Sequence, residues 1–323
     1  QPGQPLPPNQ LPSAGVNPPN EVASPTLATP YSDQISLGYS AQVNPWLGLN
    51  VDASHIKYKD IPFRFRANPI DPATGQRRFP AFASFRMWQG NGFAEYNGIN
   101  ISGHARIGQQ FELQGFYTLS HTTGNILAGA DEFRITDAGH QGDFRTVRDQ
   151  TIDPYDPNCS ACEGPLNTDQ RHRVTLSGLY KGPLGIDMSG IFRYHSGTPY
   201  TKWAGDDISC GPTGPSTCRD GYAFDLAPGV THVNSLRGAS FSQFDIRASK
   251  EFKVYRSYSL EVIGEIFNLF NSKNPANYDG NCVVVNNVCT DNGALGFGTA
   301  QAFAGDPGLG DTRLAQLGVR VRF

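Results

Sequence analysis

At the end of the sequence, Leu317, Val319, Val321 and Phe323 alternate with Gln316, Gly318, Arg320 and Arg322. A period of two sends the first set to one face of a strand and the second set to the other. In a soluble sheet the apolar face meets a core and the polar face meets water. In an outer-membrane barrel the apolar face meets lipid and the polar face lines the lumen. One strand, 313–323, does not separate these cases. Recurrence of the pattern at membrane length does.

The pattern recurs along the chain. Ile35, Leu37, Tyr39, Ala41 and Val43 alternate with small polar residues; after Asn44-Pro45, Leu47, Leu49, Val51 and Ala53 do the same, which predicts a hairpin. Further strands are expected at 94–107 and 110–121, at 169–181 and 185–196, and at 240–252 and 257–270. An additional short strand is expected near 82–88. Leu260, Ile263, Phe267 and Phe270 would also suit a helical stripe, but Gly264 and the β-branched content favour a strand.

Nine strands of roughly ten to thirteen residues result, and their connections alternate between short and long. The long intervals, 59–93, 122–168, 197–238 and 271–311, all fall on one side. Strands of soluble proteins average about five or six residues, whereas about 9–11 tilted residues cross a bilayer. Long loops confined to one side are rare in compact domains and usual on the outer side of outer-membrane barrels. The fold class expected is all-β, an antiparallel transmembrane barrel portion with short periplasmic turns and long extracellular loops. A hydrophobic content of 38% is compatible, because each strand needs apolar side chains only at alternate positions. A net charge of -3 with no basic stripe sets nucleic acid aside.

All six cysteines fall in the long intervals: Cys159 with Cys162, Cys210 with Cys218, and Cys282 with Cys289. An even count on one side reads as disulfide staples in an oxidising compartment. Six cysteines allow fifteen connectivities, and separate loops favour local pairing. The competing zinc or redox reading of the Cys159/Cys162 spacing lacks a second ligand pair and a βαβ context.

The segments Asp169-Gln-Arg-His-Arg-Val-Thr-Leu-Ser-Gly-Leu-Tyr180 and Ser189-Gly-Ile-Phe-Arg-Tyr-His-Ser-Gly-Thr-Pro-Tyr200 resemble a strand pair of TonB-dependent outer-membrane receptors. Phe244-Asp-Ile-Arg-Ala-Ser-Lys250 with Leu260-Glu-Val-Ile-Gly-Glu-Ile-Phe-Asn-Leu-Phe-Asn271 is similar to that family's penultimate hairpin. The subgroup suggested is the Oar-like one, whose members often carry a carboxypeptidase-regulatory-like domain. The resemblance spans about residues 29–323 and implies a barrel of about 22 strands around a plug. It also implies a barrel-assembly signal at Phe323. Residues 1–30 read as a Pro-rich extended or loop segment and 31–323 as the C-terminal part of such a barrel. The sequence shows no plug, TonB-binding segment or signal peptide, so the expectation is one part of a longer or split receptor. Partners expected are outer-membrane lipid, the remaining barrel and plug, the TonB system through that plug, and the barrel-assembly machinery.

No cofactor and no catalysis are expected. Glu261 and Glu265 stand about 13 Å apart along a strand, whereas glycosidase carboxylates lie about 5–9.5 Å apart. These two, with Arg171, Arg173, Asp187, Arg193, Asp245, Arg247, Arg320 and Arg322, read as lumen-facing charge forming cross-strand ion pairs. Asp149, Asp153, Asp156 and Asp169 could hold calcium but lack the spacing of a known loop. Aromatics near strand ends, including Trp46, Tyr180, Phe252, Tyr258 and Tyr117, fit interfacial girdles. Tyr200 and Trp203 carry a weaker reading as ligand-facing loop residues. Energised uptake of an unidentified ligand is the function expected. The alternative is a structural or adhesive surface protein whose partial barrel assembles with other chains.

Overall fold

The computed structural model describes residues 21–68, 76, 79–80, 82, 85–125, 160–204, 226–255, 258–278, 280–290, 297–303 and 312–323. Nine long strands form one antiparallel meander: β1 (Tyr31–Asn44), β2 (Leu47–Ala67), β3 (Phe85–Ile107), β4 (Phe111–Gly124) and β5 (His172–Lys181), then β6 (Ile186–His195), β7 (Phe241–Tyr255), β8 (Tyr258–Phe267) and β9 (Leu314–Arg322). Each pairs only with its neighbours in sequence, and β1 and β9 form the two edges. Two short segments add to this sheet. Glu21–Ala23 pairs in parallel with the upper part of β3, and Gly164–Pro165 pairs with β4.

The short connections follow from local chemistry. At residues 45–46, the Asn44 Oδ1 accepts the Trp46 N–H at 3.0 Å, an Asx turn that closes the first hairpin. At 182–185, Leu184 and Gly185 both take positive φ (62° and 69°), so the chain reverses within four residues. The long connections are residues 68–84, 125–171, 196–240 and 268–313.

Register carries the two-residue period across the whole sheet. One rung reads Tyr39, Val51, Ile101, Tyr117, Val174, Tyr194; the next, on the opposite face, reads Ser40, Asn50, Ser102, Phe116, Thr175, Arg193, Gln243. Among the described residues nothing covers the apolar face: Leu37 is 78% exposed and Leu317 87%. On β1 that belt runs from Val43 to Ile35, about 27 Å of strand, which at a tilt of about 40° rises about 21 Å, somewhat short of an outer-membrane apolar band of about 25 Å. Above it the same face turns polar. Lys59 meets Asp33 at 2.9 Å, Lys57 meets Glu95 at 3.4 Å, and His55 Nδ1 lies 2.7 Å from Asn97 Oδ1. At the other end Trp46, Tyr255, Tyr258 and Phe323 are exposed beside the Phe111–Tyr180 stack, as an aromatic girdle requires.

Three expectations need correction. The interval 59–93 is largely strand, because β2 continues to Ala67 and β3 begins at Phe85. The separate strand near 82–88 is the upper end of β3 itself. Register shifts between Tyr58 and Ile61 and between Ile61 and Phe63, with Asp60 at φ 56°, break the period there; a bulge therefore reads as a loop in the sequence. The strand expected from Asp169 starts at His172, because Asp169 is engaged elsewhere. The segment of mixed helix and strand character is strand: Gly264 sits between Ala248 and Leu317.

Ile101 and Ser102 are chain neighbours on opposite faces, so they report the faces directly. Ile101→Arg should destabilise the folded protein in lipid by about 2–4 kcal/mol. Ser102→Arg should change it by less than about 1 kcal/mol. Urea unfolding in bilayers measures both, and equal costs would refute the assignment of faces.

Candidate functional site

The polar face carries its densest charge on β7–β9, close to the short connections. Register places Glu251 directly opposite Glu261 and Glu261 opposite Arg320. Two carboxylates facing each other repel, and Arg322 resolves this by donating to both, at 3.0 Å each. The buried Glu261 also meets Arg320 at 3.3 Å and Arg247 at 3.7 Å. Arg247 reaches Glu265 at 3.3 Å, and the Gln316 side chain donates to that same carboxylate. Arg247 thus bridges Glu261 and Glu265, so their carboxylates lie closer together than the strand length of about 13 Å between their backbones, and both are ion-paired.

The remaining charged positions have separate neighbours. Asp245 is buried, accepts from the Gln243 Nε2 at 2.9 Å and the Asn268 N–H at 2.8 Å, and lies 3.6 Å from Arg193. It anchors the top of the β7–β8 hairpin. Asp187 faces Lys181 and Ser249 in register. Arg173 donates to Gln170 Oε1 at 2.7 Å. A further set escaped sequence reasoning: Glu112 takes His104 at 3.1 Å and Arg106 at 3.3 Å next to the 108–110 turn. Only the β3–β4 register could have revealed it.

At the opposite rim the long connections pack on one another. Asp169, with a fully buried side chain, accepts the Thr122 N–H at 2.8 Å and the Arg171 Nε at 3.2 Å, and also pairs with Arg237. His121 Nδ1 lies 3.3 Å away. Burial pushes this carboxyl up, but Arg237 and the Thr122 amide outweigh it and hold it below the usual aspartate range. The calcium reading of Asp169 gives way to this guanidinium-filled arrangement; Asp149, Asp153 and Asp156 lie outside the described residues.

Tyr200 is half-buried, and its ring stacks on Tyr278 with centroids 5.4 Å apart. Burial raises the Tyr200 hydroxyl above its ordinary pKa, so it stays protonated. Tyr278 Oη accepts the Ala239 N–H at 3.1 Å, and Lys202 lies over the Phe297 ring at 4.8 Å. Trp203 belongs to the short strand Trp203–Ala204, which pairs in parallel with Asn281 and Cys282. Cys282 and Cys289 form a disulfide across a hairpin, Asn281–Val285 with Val288–Thr290. Asn286 and Asn287, both at positive φ, make its turn. Cys162 is also disulfide-bonded, so it is no zinc thiolate; Cys159, Cys210 and Cys218 lie outside the described residues. Among the described residues no three His, Cys, Asp or Glu side chains gather in a metal-binding group.

The outer membrane beta barrel domain family matches residues 1–316. The chain belongs to this family. It is therefore an outer-membrane protein of a Gram-negative-type bacterium, with β1–β9 as barrel wall. The outer membrane transporter YddB from Escherichia coli has the same fold, at a TM-score of 0.51 and 13% identity; the alignment covers 91% of this chain and 32% of that one. The ferric-catecholate import receptor Fiu from E. coli K12 aligns over 90% of this chain and 27% of its own, at 12% identity and a TM-score of 0.45. The FrpB iron transporter from Neisseria meningitidis aligns over 93% and 31%, at 12% identity and 0.44. The barrel chain thus spans about a third of the length of these solved structures. No curated protein sequence matches it.

Glu261→Gln leaves three arginines around a neutral side chain and should cost about 2 kcal/mol, read as a lower urea midpoint with unchanged strand content. Because the Asp169 carboxyl is held below its ordinary value, its contribution is present above the unfolded aspartate pKa and disappears as pH falls through the lowered one. Protease nicking of the rim should therefore be equal at pH 7 and pH 5 and rise only below about pH 3.9. A rise already complete at pH 5 would contradict the assignment.

Proposed function

We propose that this chain is the C-terminal part of the barrel of a TonB-dependent outer-membrane receptor of the Oar-like subgroup, working in energised uptake of a ligand. The carrying observation is an open meander of membrane-length strands with a charged inner face and two unpaired edges. Hydrocarbon does not tolerate open edges, so further strands must join β1 and β9. The likeness of fold to a transporter about three times as long supports the same reading.

In this reading residues 31–323 are the C-terminal part of the barrel, preceded by the Pro-rich segment 1–30, of which residues 1–20 lie outside the described residues and Glu21–Ala23 pairs with β3. The short connections face the periplasm and the long ones the exterior. Arg173, Asp187, Arg193, Asp245, Arg247, Glu261, Glu265, Arg320 and Arg322 line the lumen and meet a plug, which relays force from the TonB system, whereas Arg171, expected from the sequence to join them, belongs to the outer rim beside Asp169. Phe323 ends the strand read by the barrel-assembly machinery. Tyr200 and Trp203 belong to the loops offered to ligand, which the three cysteine pairs Cys159/Cys162, Cys210/Cys218 and Cys282/Cys289 staple. The chain itself supplies no catalysis.

The deciding experiment is the denatured mass of the polypeptide in native outer membranes. The receptor reading expects roughly three times the 35.1 kDa of this chain, as a plugged barrel of about 22 strands needs. It also expects copurification with the TonB periplasmic domain. A mature product of 35.1 kDa without that association would favour a surface protein whose edges are closed by other chains.

A further inference from the structure

The second and third long connections, represented by residues 160–171 and by 196–204 with 226–240, touch through polar groups that water scarcely reaches. The Val233 N–H donates to the Ala161 carbonyl at 3.0 Å, and Asn234 Nδ2 donates to the Pro165 carbonyl at 2.7 Å. Asn234 is itself fixed by Thr201, whose hydroxyl donates to its Oδ1 at 3.0 Å and accepts its N–H at 2.9 Å. The backbones are close enough that a methyl group at Gly164 would collide with the Val233 carbonyl.

Asp169 closes this seam. Its carboxylate holds Arg237 from the third connection, Arg171 from the second and the Thr122 amide at the end of β4. Arg237 uses its other nitrogen on two carbonyls, Asp169 at 2.9 Å and Gly197 at 3.1 Å, so one guanidinium spans both connections. A guanidinium with that fork geometry is positioned, not merely neutralised, by its anion. Buried polar networks of this kind are rigid while every member is satisfied and open when one is removed.

We propose that Asp169 is a positioning residue that, through Arg237, unites residues 160–171 of the second connection with 196–204 and 226–240 of the third in one rigid body. On the receptor reading above, on which this meaning rests, that body is a single extracellular surface presented to ligand, and a contact on either connection is felt by the other.

Hydrogen exchange on the full protein in native outer-membrane vesicles tests this without a ligand. Arg237→Gln keeps the Asp169 carboxylate, Arg171 and the β4–β5 pairing, so the barrel still assembles. Exchange should then rise about tenfold in both 160–169 and 230–238, with 172–181 unchanged. Asp169→Asn should raise the same two segments together. If 230–238 accelerates in Arg237→Gln while 160–169 stays protected, the connections are independent and the proposal is overturned. Should Asp169→Asn fail to assemble, Arg237→Gln alone decides between these outcomes. A 35.1 kDa product showing coupled exchange would end the receptor reading and leave the rigid body standing.

Discussion

In hydrocarbon an unpaired backbone amide has no water to turn to, and the rest of this structure depends on that constraint. Only a helix or a paired sheet satisfies it. This chain, a member of the outer membrane beta barrel family, meets it with strands, each bonded to its neighbours in sequence. Sequential antiparallel pairing needs only tight turns on one side. This leaves length and chemical variety to accumulate in the connections on the other.

The same constraint divides the labour of the two faces. The outer face carries Leu37, Tyr39, Ile101, Leu176 and Val319, left exposed by the described residues as a lipid-facing surface is. The inner face must remain soluble in water, and it does so with cross-strand charge. Around Glu261 the arrangement is not a simple ladder of opposite signs. Two glutamates face each other, and Arg322 from the last strand makes the pairing tolerable. The final strand therefore contributes to the inner wall as well as to the lipid face.

Among the described residues the most enclosed side chains are chiefly polar and lie at the rim: Asp169, Thr201, Gln243, Asn268 and Asn274. A barrel turned apolar side out has no ordinary core to hold its loops. Directional hydrogen bonds take that role here, with Asp169 and Asn234 joining connections distant in sequence and Asp245 tying Asn268 to β7. Such contacts set position more sharply than apolar packing does, because each donor accepts only a narrow range of geometries.

Alternation from Ile35 to Phe323 was enough, by itself, to specify strands, their two faces and the alternation of short and long connections, since a period of two is a local property of the chain. It also put the charged residues of the strands on the polar side of the alternation. It failed where the period slips, at the bulge around Asp60 and Pro62, and it missed the strands of the hairpin 281–290 because runs of five and three residues are too short to show a period. Tertiary structure alone decided which charges meet. That Glu261 faces Glu251 and Arg320, that Glu112 finds His104, and that Arg237 crosses sixty-eight positions to Asp169 depend on register and loop closure. Whether the residues are eight apart, as His104 and Glu112, or sixty-eight, as Asp169 and Arg237, the alternation alone does not encode which of them meet.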